Sequence, residues 1–146
     1  LRKVLPGCII DAEVSRYVGG GLDSAKEMAA QRRLGNIVVI ALGTNGPIAG
    51  YERYAVQTNE LLEYLGPNRH IFWVNVYCPK LTWQQVNNDC IRDMPIAHPN
   101  VTVVDWYSLV KDHPEWLTSD GIHPNDEGIK AYANLVHDTI AKTLAK

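Results

Sequence analysis

At 146 residues, 46% hydrophobic and 21% charged with a formal net charge of −2, the chain is sized for one domain with a single sizeable core and has the balance of a soluble globular protein. That charge gives no electrostatic case for nucleic acid, and apolar runs such as residues 37–42 fall far below the roughly 20 residues that cross a bilayer as a helix. The three cysteines, Cys8, Cys78 and Cys90, lack zinc-site spacing, which leaves a Cys78–Cys90 bridge and buried unreactive thiols as the two readings.

Leu1 to Leu5 reads as the tail of a helix stopped by Pro6-Gly7, and the β-branched run from Cys8 to Val14 follows as a strand. Gly19-Gly20-Gly21 reads as a loop before a helix over Leu22 to Leu34, capped by Asp23. The continuous apolar stretch from Asn36 to Leu42 has the pattern of a parallel strand buried on both faces, and it ends in Gly43-Thr44-Asn45-Gly46-Pro47. A helix over Tyr51 to Leu65 is stopped by Gly66-Pro67. The strand Ile71 to Tyr77 precedes a more polar helix over Trp83 to Met94, bounded by Pro79 and Pro95. Val101 to Asp105 is the next strand and Trp106 to Lys111 a short helix. The last helix starts at Asn125 or Asp126 and carries Ile129, Tyr132, Ala133, Val136 and Ile140 on one face. Strands alternating with helices predict a single three-layer α/β sandwich over residues 1–146, with a mostly parallel sheet and any ligand beyond the carboxyl ends of the strands.

Two motifs fall on such loops. In Thr118-Ser119-Asp120-Gly121-Ile122-His123-Pro124-Asn125, an acid and an imidazole stand three residues apart. Asp120 could hold His123 in the tautomer that takes a hydroxyl proton. In Gly43-Thr44-Asn45-Gly46, the Asn45 amide could donate to a developing oxyanion. Taken alone, each is also an ordinary turn, in which the side chain caps or bonds locally. His70, His98, His113 and His137 show no metal-ligand spacing, and no metal or other cofactor is expected. Trp73 reads as core, whereas Trp83, Trp106 and Trp116 could pack or border a glycan groove.

The strand followed by Gly-x-Asn and the Asp-x-x-His ahead of the final helix resemble the third and last blocks of the SGNH (GDSL-like) hydrolase family. The wording around them, with Ile10 to Arg16 upstream, is most similar to the extracytoplasmic domain of membrane-bound peptidoglycan O-acetyltransferases. The resemblance implies a flavodoxin-like fold, with His123 as general base, Asp120 as its orienting acid and Asn45 as an oxyanion donor. The family's second block, a glycine whose backbone N–H is a second donor, falls at Ser15 or Arg16, with Ser15 in place of the glycine. The family's first block, a strand ending in Gly-Asp-Ser, is not found in these residues. The resemblance thus implies a nucleophilic serine ahead of residue 1, and a first strand supplied by another segment or chain. It also implies an acyl donor and a glycan acceptor as partners, an extracytoplasmic, cell-envelope location, and a transmembrane acyltransferase domain in the full-length protein. Esterase activity or a catalytically silent glycan- or partner-binding module are the alternatives.

Overall fold

The computed structural model describes residues 1–46 and 50–145. At its centre lies a parallel sheet in the order β1 (Ile37–Ile40), β2 (His70–Val74), β3 (Val101–Val104). The register sets Val39 beside Phe72 and Phe72 beside Thr102. Alternation along the middle strand sends Ile71 and Trp73 into one cluster and Phe72 and Val74 into another, and all four are buried. A strand covered on both faces needs such an unbroken apolar run.

On the Trp73 side, α1 (Val18–Ala30), α2 (Tyr51–Leu65) and α3 (Gln84–Ala97) contribute Val18, Leu61, Leu62 and Ile91. On the Phe72 side, α4 (Trp106–Val110) and α5 (Asp126–Leu144) contribute Trp106, Val110, Val136 and Ile140. The expected three-layer α/β sandwich with a parallel sheet is therefore present, and α2 spans the residues anticipated for it.

Several local expectations fail for physical reasons. Gly19-Gly20-Gly21 is helical, not a loop, and α1 begins at Val18 with no side-chain cap, so Asp23 lies inside it. A Cβ built on Gly21 would stand 2.7 Å from Leu42 Cδ1 and 3.1 Å from Leu61 Cδ2. The glycine is there for close packing, which offsets its poor helix propensity. The segment from Cys8 to Val14 forms no ladder. Ile9 and Ile10 are exposed, and the segment is fixed instead by the Asp11–Arg16 ion pair at 3.0 Å. β2 stops at Val74 because the backbone of Val76 and Cys78 is taken by Asn88 and Gln84 of α3. That helix runs through Pro95 to Ala97. A proline in the final turn removes only one N–H, and the buried Ile91 and Met94 hold the turn in place.

On α5, Ile129 points outward, 53% exposed. Its neighbour Gly128 makes the close approach, since a Cβ there would lie 2.2 Å from the Trp116 carbonyl oxygen. All three cysteines are free, Cys78 and Cys90 buried, and burial pushes the Cys78 thiol up to about 11. Pro47, the end of the loop after β1, lies outside the described residues.

Candidate active site

The Asp120–His123 turn is held by its own backbone and by its neighbours. Gly121 takes a positive φ of 73°, the conformation glycine adopts at no steric cost, and its N–H donates to the Thr118 carbonyl at 2.9 Å. The Thr118 N–H donates to the His123 carbonyl at 2.8 Å, and the Asn125 N–H to that of Trp116 at 2.8 Å. Asn125 then caps α5, its Oδ1 accepting from the N–H groups of Glu127 and Gly128. The turn is thus anchored to a helix that packs on the sheet.

Within it, Asp120 uses its two oxygens differently. Oδ1 accepts from the N–H groups of Ile122 (2.7 Å) and His123 (3.0 Å) and from Thr118 Oγ1 (2.9 Å). Oδ2 accepts from His123 Nδ1 at 2.6 Å. The His123 N–H first, then its imidazole and the Ile122 N–H, hold the Asp120 carboxyl well below the usual carboxylate range. An ionised carboxylate only accepts, so the imidazole proton sits on Nδ1 and Nε2 keeps a lone pair. The His123 side chain is 76% exposed, open to an incoming hydroxyl.

Asn45 lies at the carboxyl end of β1, where its Nδ2 donates to the Arg16 carbonyl at 3.3 Å. This ties Asn45 to the backbone of the residue after Ser15, the other residue expected to donate to an oxyanion. Ser15 has φ 60°, a left-handed conformation that costs a non-glycine residue about 1–2 kcal/mol. Ser15 thus holds a backbone shape that glycine adopts at no steric cost. Arg16 pins the segment through Asp11 and Glu13 at 3.0 and 3.1 Å, and Ser24 Oγ bonds the same Asp11 carboxylate.

Among the described residues no hydrogen bond joins Asn45 directly to Asp120 or His123. The two pairs meet through the loop after β2: Lys80 Nζ donates to the Asp120 carbonyl at 2.9 Å, and Trp83 Nε1 donates to the Thr44 carbonyl at 3.0 Å. Both motifs accordingly sit at the carboxyl rim of the sheet. Lys80 carried no signal in the sequence, whereas Trp83 was legible only as a tryptophan that could pack or border a groove.

Three of the four remaining histidines have side-chain partners. His98 contacts Asn59, His113 stacks on Trp116 with ring centroids 3.9 Å apart, and His137 pairs with Asp138. Among the described residues no cluster of His, Cys, Asp or Glu is placed to hold a metal. A groove of about 500 Å³ runs between α4 and α5, lined by Leu109, Trp116, Lys130 and Leu135. Trp116 thus borders a groove, but none of Ser15, Asn45, Asp120 and His123 lines it.

No family model matches the chain. It is 30% identical over 142 residues to the peptidoglycan O-acetyltransferase OatA of Listeria monocytogenes, a match covering 97% of this chain and 22% of that protein. It is 32% identical over 139 residues to the O-acetyltransferase OatA of Staphylococcus aureus, covering 94% and 22%. Among solved structures, the C-terminal catalytic domain of Streptococcus pneumoniae OatA, with a methylsulfonyl adduct, superposes with a TM-score of 0.77 at 28% identity, covering 99% of this chain and 83% of that one. The chain spans about a fifth of the length of the curated relatives it matches.

Proposed function

Because the chain is homologous to the catalytic domains of OatA-type peptidoglycan O-acetyltransferases, we propose that it is the acyl-transferring domain of a larger cell-envelope protein. In this reading it moves an acetyl group onto a hydroxyl of a cell-wall glycan through a serine acyl-enzyme. The observation that carries the reading is the 2.6 Å contact between Asp120 Oδ2 and His123 Nδ1, with the other carboxylate oxygen already bound by three donors. Such a pair fixes the imidazole and stabilises its protonated form.

The chemistry runs in two balanced halves. His123 Nε2 accepts the serine proton as the serine oxygen attacks the acetyl carbonyl. The imidazolium returns that proton to the departing group of the donor. In the second half a glycan hydroxyl gives its proton to Nε2 and attacks the acetyl-serine, and the serine leaves reprotonated. The Asn45 amide and the Ser15 N–H would donate to the oxyanion in each half, one such donor being worth roughly 3 kcal/mol.

The serine itself is proposed to lie on a strand pairing with the free edge of β1. That edge has a neighbour on one side only among the described residues, and Ile37, Ile9 and Ile10 are exposed there and in the preceding segment, which an added strand would cover. The pneumococcal relative carries a methylsulfonyl adduct, and sulfonyl electrophiles trap activated nucleophiles. No described helix is long and apolar enough to cross a membrane. In this reading the domain acts outside the cytoplasm at the cell envelope, and a transmembrane acyltransferase domain elsewhere in the full-length protein anchors it.

The test is acceptor competition in the full-length protein with 4-nitrophenyl acetate as donor and soluble peptidoglycan fragments as acceptor. Transfer predicts acetylated glycan at the expense of free acetate. Release of acetate alone, at a rate indifferent to acceptor, would make the domain an esterase.

A further inference from the structure

The three backbone carbonyls leading into Asn45 are all held from inside the protein. That of Leu42 accepts from Tyr54 Oη at 2.8 Å and Trp73 Nε1 at 3.2 Å. That of Gly43 accepts from Asn87 Nδ2 at 2.8 Å, and that of Thr44 from Trp83 Nε1 at 3.0 Å. With their oxygens engaged inward, these carbonyls present no negative dipole where an oxyanion would form.

Asn87 shows what the arrangement costs. It is fully buried, and among the described residues its Oδ1 has no hydrogen-bond partner. An orphaned buried amide oxygen is destabilising, and an apolar residue of the same shape would avoid it. The Gly43 carbonyl would still receive the Gly46 N–H, at 3.4 Å. What the amide adds is therefore a second, better aligned hold on the turn that carries Asn45.

The same helical turn grips the next loop. Asn88 exchanges two 2.8 Å hydrogen bonds with the Val76 backbone, and Gln84 Oε1 accepts from the Cys78 N–H at 2.6 Å. From that loop Lys80 reaches the Asp120 carbonyl. One turn, from Trp83 to Asn88, thus ties the Asn45 loop to the loop that contacts the acid–base pair.

We propose that Trp83 and Asn87 are positioning residues that aim the Asn45 amide at the developing oxyanion, an inference that rests on the acyl-transfer reading above. The test compares Asn87→Leu and Trp83→Phe, each alone and combined with Asn45→Ala, in the full-length protein. The readouts are kcat and KM for 4-nitrophenyl acetate and thermal melting. Misaiming a reacting group by about 1 Å costs on the order of 10²-fold, so Asn87→Leu should lower kcat about 10- to 100-fold. KM should change little, and the melting temperature should hold or rise as the orphaned oxygen is removed. In the Asn45→Ala background the same change should add less than about twofold, because residues acting through one group are not additive. Trp83→Phe keeps the ring and should follow the same pattern, so it decides the matter if Asn87→Leu does not fold. Full kcat in folded single variants, or an equal further loss in the Asn45→Ala background, overturns the inference while leaving the acyl-transfer reading intact. Wild-type kcat in Asn45→Ala itself overturns the oxyanion role of Asn45, and this inference with it.

Discussion

Replacing Asp120 with Asn changes one oxygen to an amide nitrogen and should reverse the tautomer of His123. Oδ1 is bound by two backbone N–H groups and the Thr118 hydroxyl. The substituted side chain keeps its remaining oxygen there, because placing an NH₂ against two N–H donors would leave all of them unpaired. The NH₂ then faces His123 Nδ1, which must accept rather than donate. The ring proton moves to Nε2, and the lone pair proposed to take the serine proton is gone. In a buried serine-protease triad the equivalent change costs about 10⁴-fold in kcat. Here the side chains are 46% and 76% exposed, so water screens the charge and lets the ring reorient. A loss of about 10²- to 10⁴-fold follows, with melting little changed. The assay is 4-nitrophenyl acetate turnover beside a thermal melt, and a folded Asp120→Asn protein within about threefold of wild type would refute the tautomer argument.

Ser15→Gly should leave turnover intact and be neutral to about 1 kcal/mol more stable, since it relieves a left-handed serine while keeping the N–H; Ser15→Ala should also retain turnover, and loss in either variant would assign the role to the hydroxyl. Gly128→Ala should destabilise by about 1–3 kcal/mol in chemical denaturation, because the new methyl meets the Trp116 carbonyl that also holds the Asn125 N–H. The lowered Asp120 carboxyl contributes stability that is fully present above the ordinary carboxylate value of about 4 and is lost as pH falls through the lower folded value. Asp120 should accordingly take up its own proton only below the ordinary carboxylate value of about 4 in carboxyl NMR, and protonation of that carboxyl above this value would contradict the hydrogen-bond account.

The order of elements was legible because period and punctuation agree in most of them: the apolar run at Ile37–Ile40, the stop at Gly66, the cap at Asn125. The Asp120–His123 contact was legible too, because three residues with a glycine between them close a turn by local geometry alone. What escaped depends on partners distant in the chain. Gly21 is helical because Leu42 and Leu61 need its missing side chain. The segment Cys8–Val14 has strand-forming residues, but propensity makes no ladder without a neighbour. The donors holding residues 42–44 come from Tyr54, Trp73, Trp83 and Asn87. Each reads locally as an ordinary helix or strand residue, and only the assembled sheet turns them toward one loop.

The proposed role of His123 is to move the proton that makes and breaks an acetyl-enzyme. It is tested most directly by acid-quenching full-length wild-type and His123→Ala proteins during reaction with 4-nitrophenyl acetate and soluble peptidoglycan fragments and measuring the intact mass of protein and glycan, with melting as the control for folding. The wild type should give an acetylated protein intermediate and acetylated glycan, and an equally stable His123→Ala protein should give neither at a comparable rate. Wild-type accumulation and turnover of the intermediate in folded His123→Ala would contradict that role.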